Sequence, residues 1–399
     1  MCVNRLEWLI QKHSPSGIEY KRLGDCCEIQ KGTTPIQKAI PGEYPLVVTT
    51  SERKSSETYQ FDKPSVCIPL ISSRGHGVAS LSQVYYQEGK FALGNILCAV
   101  TPLDGGTLSA KFLFYFLNYK KDTLIVPLMR GGANVSLSID SLLKVKVPVP
   151  PILIQEEIVK TLETFDQYIA SLSSELDVRK KQYMYCLDSL FGRDIEELQK
   201  RASSGKISLV PLGSLGTLTR GKRFVHADAT ESGAQCVHYG EIYTHYGIWA
   251  DKAKSFISPE LAQKLRFAHK GDVIIVGAGE NNIDIGIGVA WYGDAVVVHD
   301  ACYIFNHNQN PKYISYYLRT TVYHQQIKKY VSEGKICSIS ADGLGKALIP
   351  IPSLEEQDRI VSILDKFEKL CNDKDAGIPA EIELRQLEYE YCKSQVLSF

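Results

Sequence analysis

The stretch "GDVIIVGAGENN" (271–282) sets Gly277 and Gly279 behind an apolar run, the spacing that lets a backbone come close to a phosphate or cofactor. A dinucleotide site needs a third glycine opening an amphipathic helix, and neither follows. A cofactor loop of the S-adenosylmethionine type needs an Asn-Pro-Pro-aromatic or Asp-Pro-Pro-aromatic motif downstream. The nearest segment, "NPKY" (310–313), lacks the second proline. A turn between strands that reaches toward a groove is the reading that remains. Glu156-Glu157 and Glu355-Glu356 fall at helix starts, where they complement the helix dipole better than they would serve acid–base chemistry. There is no phosphate-binding G-x-x-x-x-G-K-[ST] loop, no G-x-S-x-G elbow and no H-E-x-x-H pair. The eleven cysteines form no C-x-x-C pair and read as reduced thiols of a cytosolic, hence cytoplasmic, protein. No catalytic centre, metal site or cofactor is expected.

What the chain has in place of a catalytic motif is a repeat. "VPVPPILIQEEIV" (147–159) and "IPIPSLEEQDRIV" (349–361) share Pro148/Pro350, Pro150/Pro352, Gln155/Gln357, Ile158/Ile360 and Val159/Val361, always 202 apart. Upstream, Gly132, Ser136, Ser138 and Leu142 match Gly334, Ser338, Ser340 and Leu344 at the same offset. The aromatic segments 110–119 and 311–320 read as amphipathic helices. Both halves also begin alike, with Leu23, Gly24 and Gly32 against Leu212, Gly213 and Gly221. Their middles keep only a skeleton of apolar strand, Gly-rich loop and G-x-G-V-A, and read as mostly β.

Behind each proline run comes a heptad seam. Ile158, Leu162, Phe165, Ile169, Leu172 and Leu176 step by four and three, and continue through Arg179, Tyr183, Cys186 and Leu190. The second seam runs through Ile360, Leu364, Phe367 and Cys371. Gly377 should end that helix and Pro379 open another, carrying Ile382, Arg385, Tyr389, Cys392 and Val396. The two seams are expected to pair with each other, although each could instead pack on its own domain. The polar stretch 199–209 reads as the linker between halves.

At 399 residues more than one domain is expected, and the 44% hydrophobic content suits a globular protein. No run is long enough to span a membrane, and the first residues do not read as a signal peptide. Net charge is zero but unevenly placed: +5 over 1–147, −4 over 148–200, +4 over 201–348 and −5 over 349–399. Two mildly basic modules facing nucleic acid, joined by acidic segments facing protein, fit this alternation; so does compositional noise.

The order of these elements, twice over, resembles the specificity (S) subunits of type I restriction–modification systems. The resemblance covers nearly the whole chain. It rests on the paired L-G…G starts, the "PVPP…QEEIV" and "IPSLEEQDRIV" helix entries and the closing "GIPAEIELRQLEYEYCKSQVLSF". It implies an α+β fold of two mostly-β target recognition domains joined by two long helices in an antiparallel coiled coil. The expected boundaries are 1–150 and 199–352 for the recognition domains, 151–198 for the central spacer helix and 353–399 for the distal spacer helices. The implied function is non-catalytic: reading a bipartite, asymmetric site in double-stranded DNA. The implied partners are two methyltransferase (M) subunits, which hold the S-adenosylmethionine, and restriction (R) subunits where present.

Candidate DNA-contacting residues are the polar loops of the divergent middles and those before each proline run. They are Lys31, Thr33, Thr34, Ser73, Arg74, His76, Arg130 and Asn134 in the first half, and Arg220, Lys222, Arg223, Glu280, Asn281, Asn282, Lys335 and Ser338 in the second. Arg74 and Arg223 suit bidentate contact with guanine, and Asn281 or Asn282 with adenine. Each is equally readable as a solvated loop residue. Two rival functions stay open: a DNA-binding enzyme with an unrecognised active site, and a protein–protein adaptor built on a coiled coil.

Overall fold

Pro150 and Pro352 each hand a strand over to a helix, and the same buried glutamine fixes both junctions. The computed structural model describes residues 2–74, 77–205 and 207–398, apart from the side chains of residues 2–4. Gln155 is fully buried. Its Nε2 donates to the carbonyls of Pro150 (2.7 Å) and Thr107 (2.8 Å), and its Oε1 accepts from the Ser109 N–H (2.8 Å). Gln357 is buried too. It donates to the Pro352 carbonyl (3.0 Å) and to Gln309 (2.8 Å), and accepts from the Asn310 N–H (3.1 Å). Ser109 and Asn310 are the N-caps of helices Ala110–Leu124 and Pro311–Tyr317. The repeated proline–glutamine motif therefore locks a domain helix to the start of a spacer helix, and leaves no polar group of the glutamine unsatisfied.

The chain divides into two compact units, residues 1–173 with 381–399 and residues 174–380. In the first, a four-stranded antiparallel sheet has the order Cys27–Lys31, Leu97–Pro102, Ser65–Pro69, Tyr85–Gln87. A smaller sheet places Tyr44–Val47 between antiparallel Lys54–Ser56 and parallel Ala92–Leu93. Strand Tyr20–Arg22 closes the unit against Lys146–Pro148. Helix Ala110–Leu124 lays Phe112, Leu113, Phe116 and Leu117 into the core with Val66, Ile68, Cys98 and Val100.

The second unit repeats this wiring. Its main sheet runs Gly216–Arg220, Cys302–His307, Val273–Val276, Gly288–Trp291, with Trp249–Ala250 added at the edge. Ala234–Val237 lies between antiparallel Ser255–Ile257 and parallel Val296–Val298, and Ser208–Pro211 closes against Leu348–Ile351. The matched glycines have a shared cause. A Cβ on Gly32 would stand 2.3 Å from the Gly94 carbonyl oxygen, and one on Gly221 2.2 Å from that of His299. Only glycine permits that approach.

In each unit a part of the long helix packs against a part of the distal spacer segment. Helix Ile152–Phe191 is 40 residues, about 60 Å at 1.5 Å per residue. Gly192, at φ +108°, ends it. In the first unit Ile158 and Leu162 share a core with Cys392 and Val396 of the terminal helix Ile378–Val396, and Phe165 and Tyr389 pack against it. Phe165 meets Tyr389 at 5.8 Å between ring centroids, and Tyr168 donates to Glu381 at 3.3 Å. Rising numbers on one helix meet falling numbers on the other, so the pair is antiparallel. In the second unit Tyr183 meets Phe367 of helix Leu354–Asn372 at 6.3 Å, with Leu187, Ile360 and Leu364 in one core and Leu176 against it. Ile169, Leu172 and Ile382 are half-buried.

The expected antiparallel pairing of the two seams is present, and two other expectations change. Ile360, Leu364 and Phe367 share their core with Tyr183 and Leu187, while Ile158, Leu162 and Phe165 go with Tyr389, Cys392 and Val396, because antiparallel order joins the start of each seam to the end of the other. Residues 199–209 do not form a plain linker: helix Ile195–Ser203 runs into them. Asp194 caps it, Leu198 is buried, and Arg201 donates to the carbonyls of Ser189 and Leu190. The helix expected across 311–320 stops at Tyr317, and Thr320 caps a new one, Thr321–Ile327.

Candidate nucleic-acid interface

Loop positions follow from the sheet register. In the first unit Lys31 pairs with Cys98 and Pro69 with Leu97, so the chain leaves both strands at the same end of the sheet. The Gly32 N–H donates to Leu97 and the Leu70 N–H to Ile96. Gln60 fixes the first exit: it donates to the Lys31 carbonyl (2.9 Å) and accepts from both the N–H (2.9 Å) and the hydroxyl (3.0 Å) of Thr33. Thr34 is held through its backbone, against Leu93 and Asn95. Ser73 binds Ser80 through backbone and hydroxyl, and the Arg74 N–H donates to Ser72 Oγ. The Ser72 N–H reaches the Val135 carbonyl, which draws the loop 130–136 alongside. Arg130 donates to the carbonyls of Pro127 (2.5 Å) and Met129 (2.9 Å), and Asn134 is exposed beside it. Seven of the eight first-half candidates are thus placed, and His76 lies outside the described residues.

In the second unit Arg220, Arg223, Glu280, Lys335 and Ser338 line one cavity of about 950 Å³. The small ladder between Ala278–Gly279 and Cys337–Ser338 brings the last three there. Arg220 Nε donates to the Asp300 carbonyl (2.7 Å), and Lys222 Nζ to that of Lys264 (2.9 Å). Asn281 and Asn282 go elsewhere. Asn282 donates to Glu333 (3.2 Å) and lines a separate, more apolar cavity of about 630 Å³ with Arg319 and Tyr183. Asn281 stands just before the single turn Asn282–Asp284, makes no side-chain capping bond to it and does not line the larger cavity.

Among the described residues, none of Lys31, Arg74, Arg130, Arg220, Lys222, Arg223 and Lys335 stands in an ion pair. On or against the spacer helices, Lys111, Arg179, Lys312, Arg359, Arg385 and Lys393 are each paired with a carboxylate, while Lys160, Lys180, Lys181, Lys366 and Lys369 stand in no ion pair among the described residues. Carbonyl contacts aim the loop cations without neutralising them, so their charge stays available to a polyanion.

Sequence reasoning missed the aromatic wall of the 950 Å³ cavity. Phe224, His226, His238, Tyr239 and His299 line it. His238 lies 4.4 Å from His299, 4.5 Å from Tyr239 and 5.5 Å from His226 between ring centroids. Burial, then the neighbouring imidazoles His299 and His226, push His238 down to about 4; burial also lowers His299. Only Phe224 and His226, next to Arg223, carried a local signal. The rest converge from separate strands. Gln60 was likewise invisible in the sequence.

Comparison with known proteins agrees with this architecture. The model of the type I restriction modification DNA specificity domain matches residues 15–177 and 207–384. The EcoR124I/EcoR124II specificity subunit of Escherichia coli is 28% identical over 75% of this chain and 73% of its own. A Haemophilus influenzae protein named as a type I restriction enzyme specificity subunit is 29% identical over 96% of each chain. Among solved structures, the type I S subunit of M. genitalium superposes with a TM-score of 0.56 at 15% identity, covering 95% of this chain and 96% of that one. A chain from a type I restriction–modification assembly gives 0.59 at 17%, covering 96% and 98%. With two matched domains on a repeated scaffold, the chain belongs to the type I restriction–modification DNA specificity family: it is a specificity subunit, not a catalytic one.

Proposed function

We propose that this chain reads a bipartite, asymmetric site in double-stranded DNA and docks two methyltransferase subunits, and restriction subunits where the host has them. Residues 1–150 and 199–352 serve as the reading heads, and 151–198 and 353–399 as the spacer. The observation that carries this reading is the repeat itself: two like-wired units, each presenting loop cations that stand in no ion pair among the described residues. Phosphate contacts by those loops give position and salt dependence, and base contacts give choice. The loops differ between units, so the two half-sites should differ. A helical spacer makes the second contact intramolecular once the first has formed.

The spacer surface supports the docking half of the proposal. On the terminal helix Leu384, Leu387 and Tyr391 are exposed, an apolar stripe at helical spacing; on the long helix Val178 and Tyr185 sit at the repeat-equivalent positions of Leu384 and Tyr391, also exposed. An exposed apolar patch that recurs with the repeat suits two copies of one partner. Gel shifts against genomic fragments over a salt series test the DNA reading. Salt-sensitive binding is expected, and an adaptor would show none.

A further inference from the structure

The recess behind Arg220 and Arg223 holds three histidines, His226, His238 and His299. His226 follows the strand Gly216–Arg220, His238 precedes the helix Tyr239–Thr244, and His299 follows the strand Val296–Val298. Three separate segments therefore deliver imidazoles to one wall, where His238 and His299 are in ring contact with Phe224 and Tyr239, and His226 with His238. The arrangement is not a cation site: among the described residues no three His, Cys, Asp or Glu groups converge on one point. Nor is it a closed core, since the rings line an open cavity of about 950 Å³.

The charges around the rings decide what the cavity takes. Arg220 enters from the first strand of the sheet, Arg223 from the loop after it and Lys335 from the loop before strand Cys337–Ser338. Glu280 lines the cavity from the loop after Gly279. Asp300 lies 3.3 Å from His299 Nδ1, which also accepts the Ala301 N–H. Glu241 is occupied by the His238 N–H and the Ser255 hydroxyl. In the free protein burial favours the neutral form of His238 and His299; the neighbouring imidazoles add to this at His238 and the two arginines at His299, while Glu241 and Asp300 oppose it at His238 and Asp300 at His299. An anion seated at the arginines reverses that balance.

We propose that this recess is a proton-coupled DNA-contact site: a phosphodiester seated at Arg220, Arg223 and Lys335 is met by an imidazolium formed on His238 or His299 as the duplex binds. The inference rests on the DNA-reading function proposed above and adds its regulation by pH. A group whose pKa rises on binding takes up a proton, so affinity increases as pH falls between the free and bound pKa values. One proton corresponds to about tenfold in affinity per pH unit within that window.

The test is calorimetric titration of the full chain with a duplex carrying the motif whose methylation depends on this gene, and with a mixed-sequence duplex of equal length. Each is run near pH 6 in two buffers of different ionisation enthalpy, and again near pH 8. Proton uptake by the wild type, lost in His238→Gln and His299→Gln variants that still bind near pH 8, supports the proposal. Wild-type binding without proton uptake overturns it, and so does uptake unchanged in both variants. The wild-type measurement stands even where a variant fails to fold. Absence of binding to either duplex at any pH would instead remove the DNA-reading function, and this inference with it.

Discussion

Phe165 and Tyr389 lie 224 residues apart in the chain and 5.8 Å apart between ring centroids, and their repeat-equivalents Phe367 and Tyr183 meet at 6.3 Å. In each unit the start of one copy's seam meets the end of the other's. Tyr389 also approaches Asp166 (3.4 Å), which takes a shorter bond from Tyr115 (2.7 Å) on the domain helix. One carboxylate therefore ties domain helix, long helix and terminal helix together. A duplicated chain in this arrangement completes each copy with a piece of the other.

That exchange is measurable. Phe165→Ala and Tyr389→Ala should each destabilise the first unit, and a double-mutant cycle should give a coupling of about 1 kcal/mol for the ring pair. Urea unfolding of the four proteins reads it directly. Additive losses would mean that the rings do not meet in solution.

Gln155→Leu keeps the volume but strips the Ser109 N–H and the Thr107 and Pro150 carbonyls of their partner. A loss of about 2 kcal/mol or more is expected, since each buried unpaired group costs roughly 1–3 kcal/mol. Gln357→Leu should do the same in the second unit. The urea midpoint should fall with its slope unchanged.

For the loops, Arg74→Ala and Arg223→Ala separate two roles. A residue contacting phosphate lowers affinity on every sequence and reduces the salt slope by about one. A residue reading a base costs about 1–3 kcal/mol on the target alone and relaxes one position of it. Binding isotherms on target and mixed duplexes, over a salt series, sort each arginine. Arg130→Ala is expected to show the phosphate pattern, because its guanidinium is already committed to two carbonyls.

Tyr391→Asp and Tyr185→Asp place charge on the repeated exposed stripe without touching a core. Each is expected to weaken docking of one methyltransferase subunit and the double variant both, with DNA binding by the isolated chain intact. Sedimentation of the reconstituted complex gives the stoichiometry. Full docking by the double variant would remove the stripe from the interface.

The repeat, both seams and the matched glycines were legible in the sequence, because each answers to a local rule: heptad spacing, a proline run, a residue without a Cβ. The partner of each seam came only with the antiparallel order that the family resemblance implied, since the pattern 158–165 by itself fits 389–396 and 360–367 alike. Helix Ile195–Ser203 was hidden by its polar composition, which its cap and one buried leucine outweigh. On the candidate interface, strand ends could be guessed, and five residues do line one cavity. The histidines at 238 and 299 could not: they reach His226 from separate segments that no short window contains. Asn281 and Asn282 looked equivalent to their neighbours until a turn carried them away.

Mapping adenine methylation across the host genome, with and without this gene, tests the central claim most directly. The account predicts loss of one bipartite motif with two unlike halves, and a change confined to one half when Arg223 or Lys335 is substituted. An unchanged methylome, or loss of an uninterrupted or palindromic motif, would contradict it.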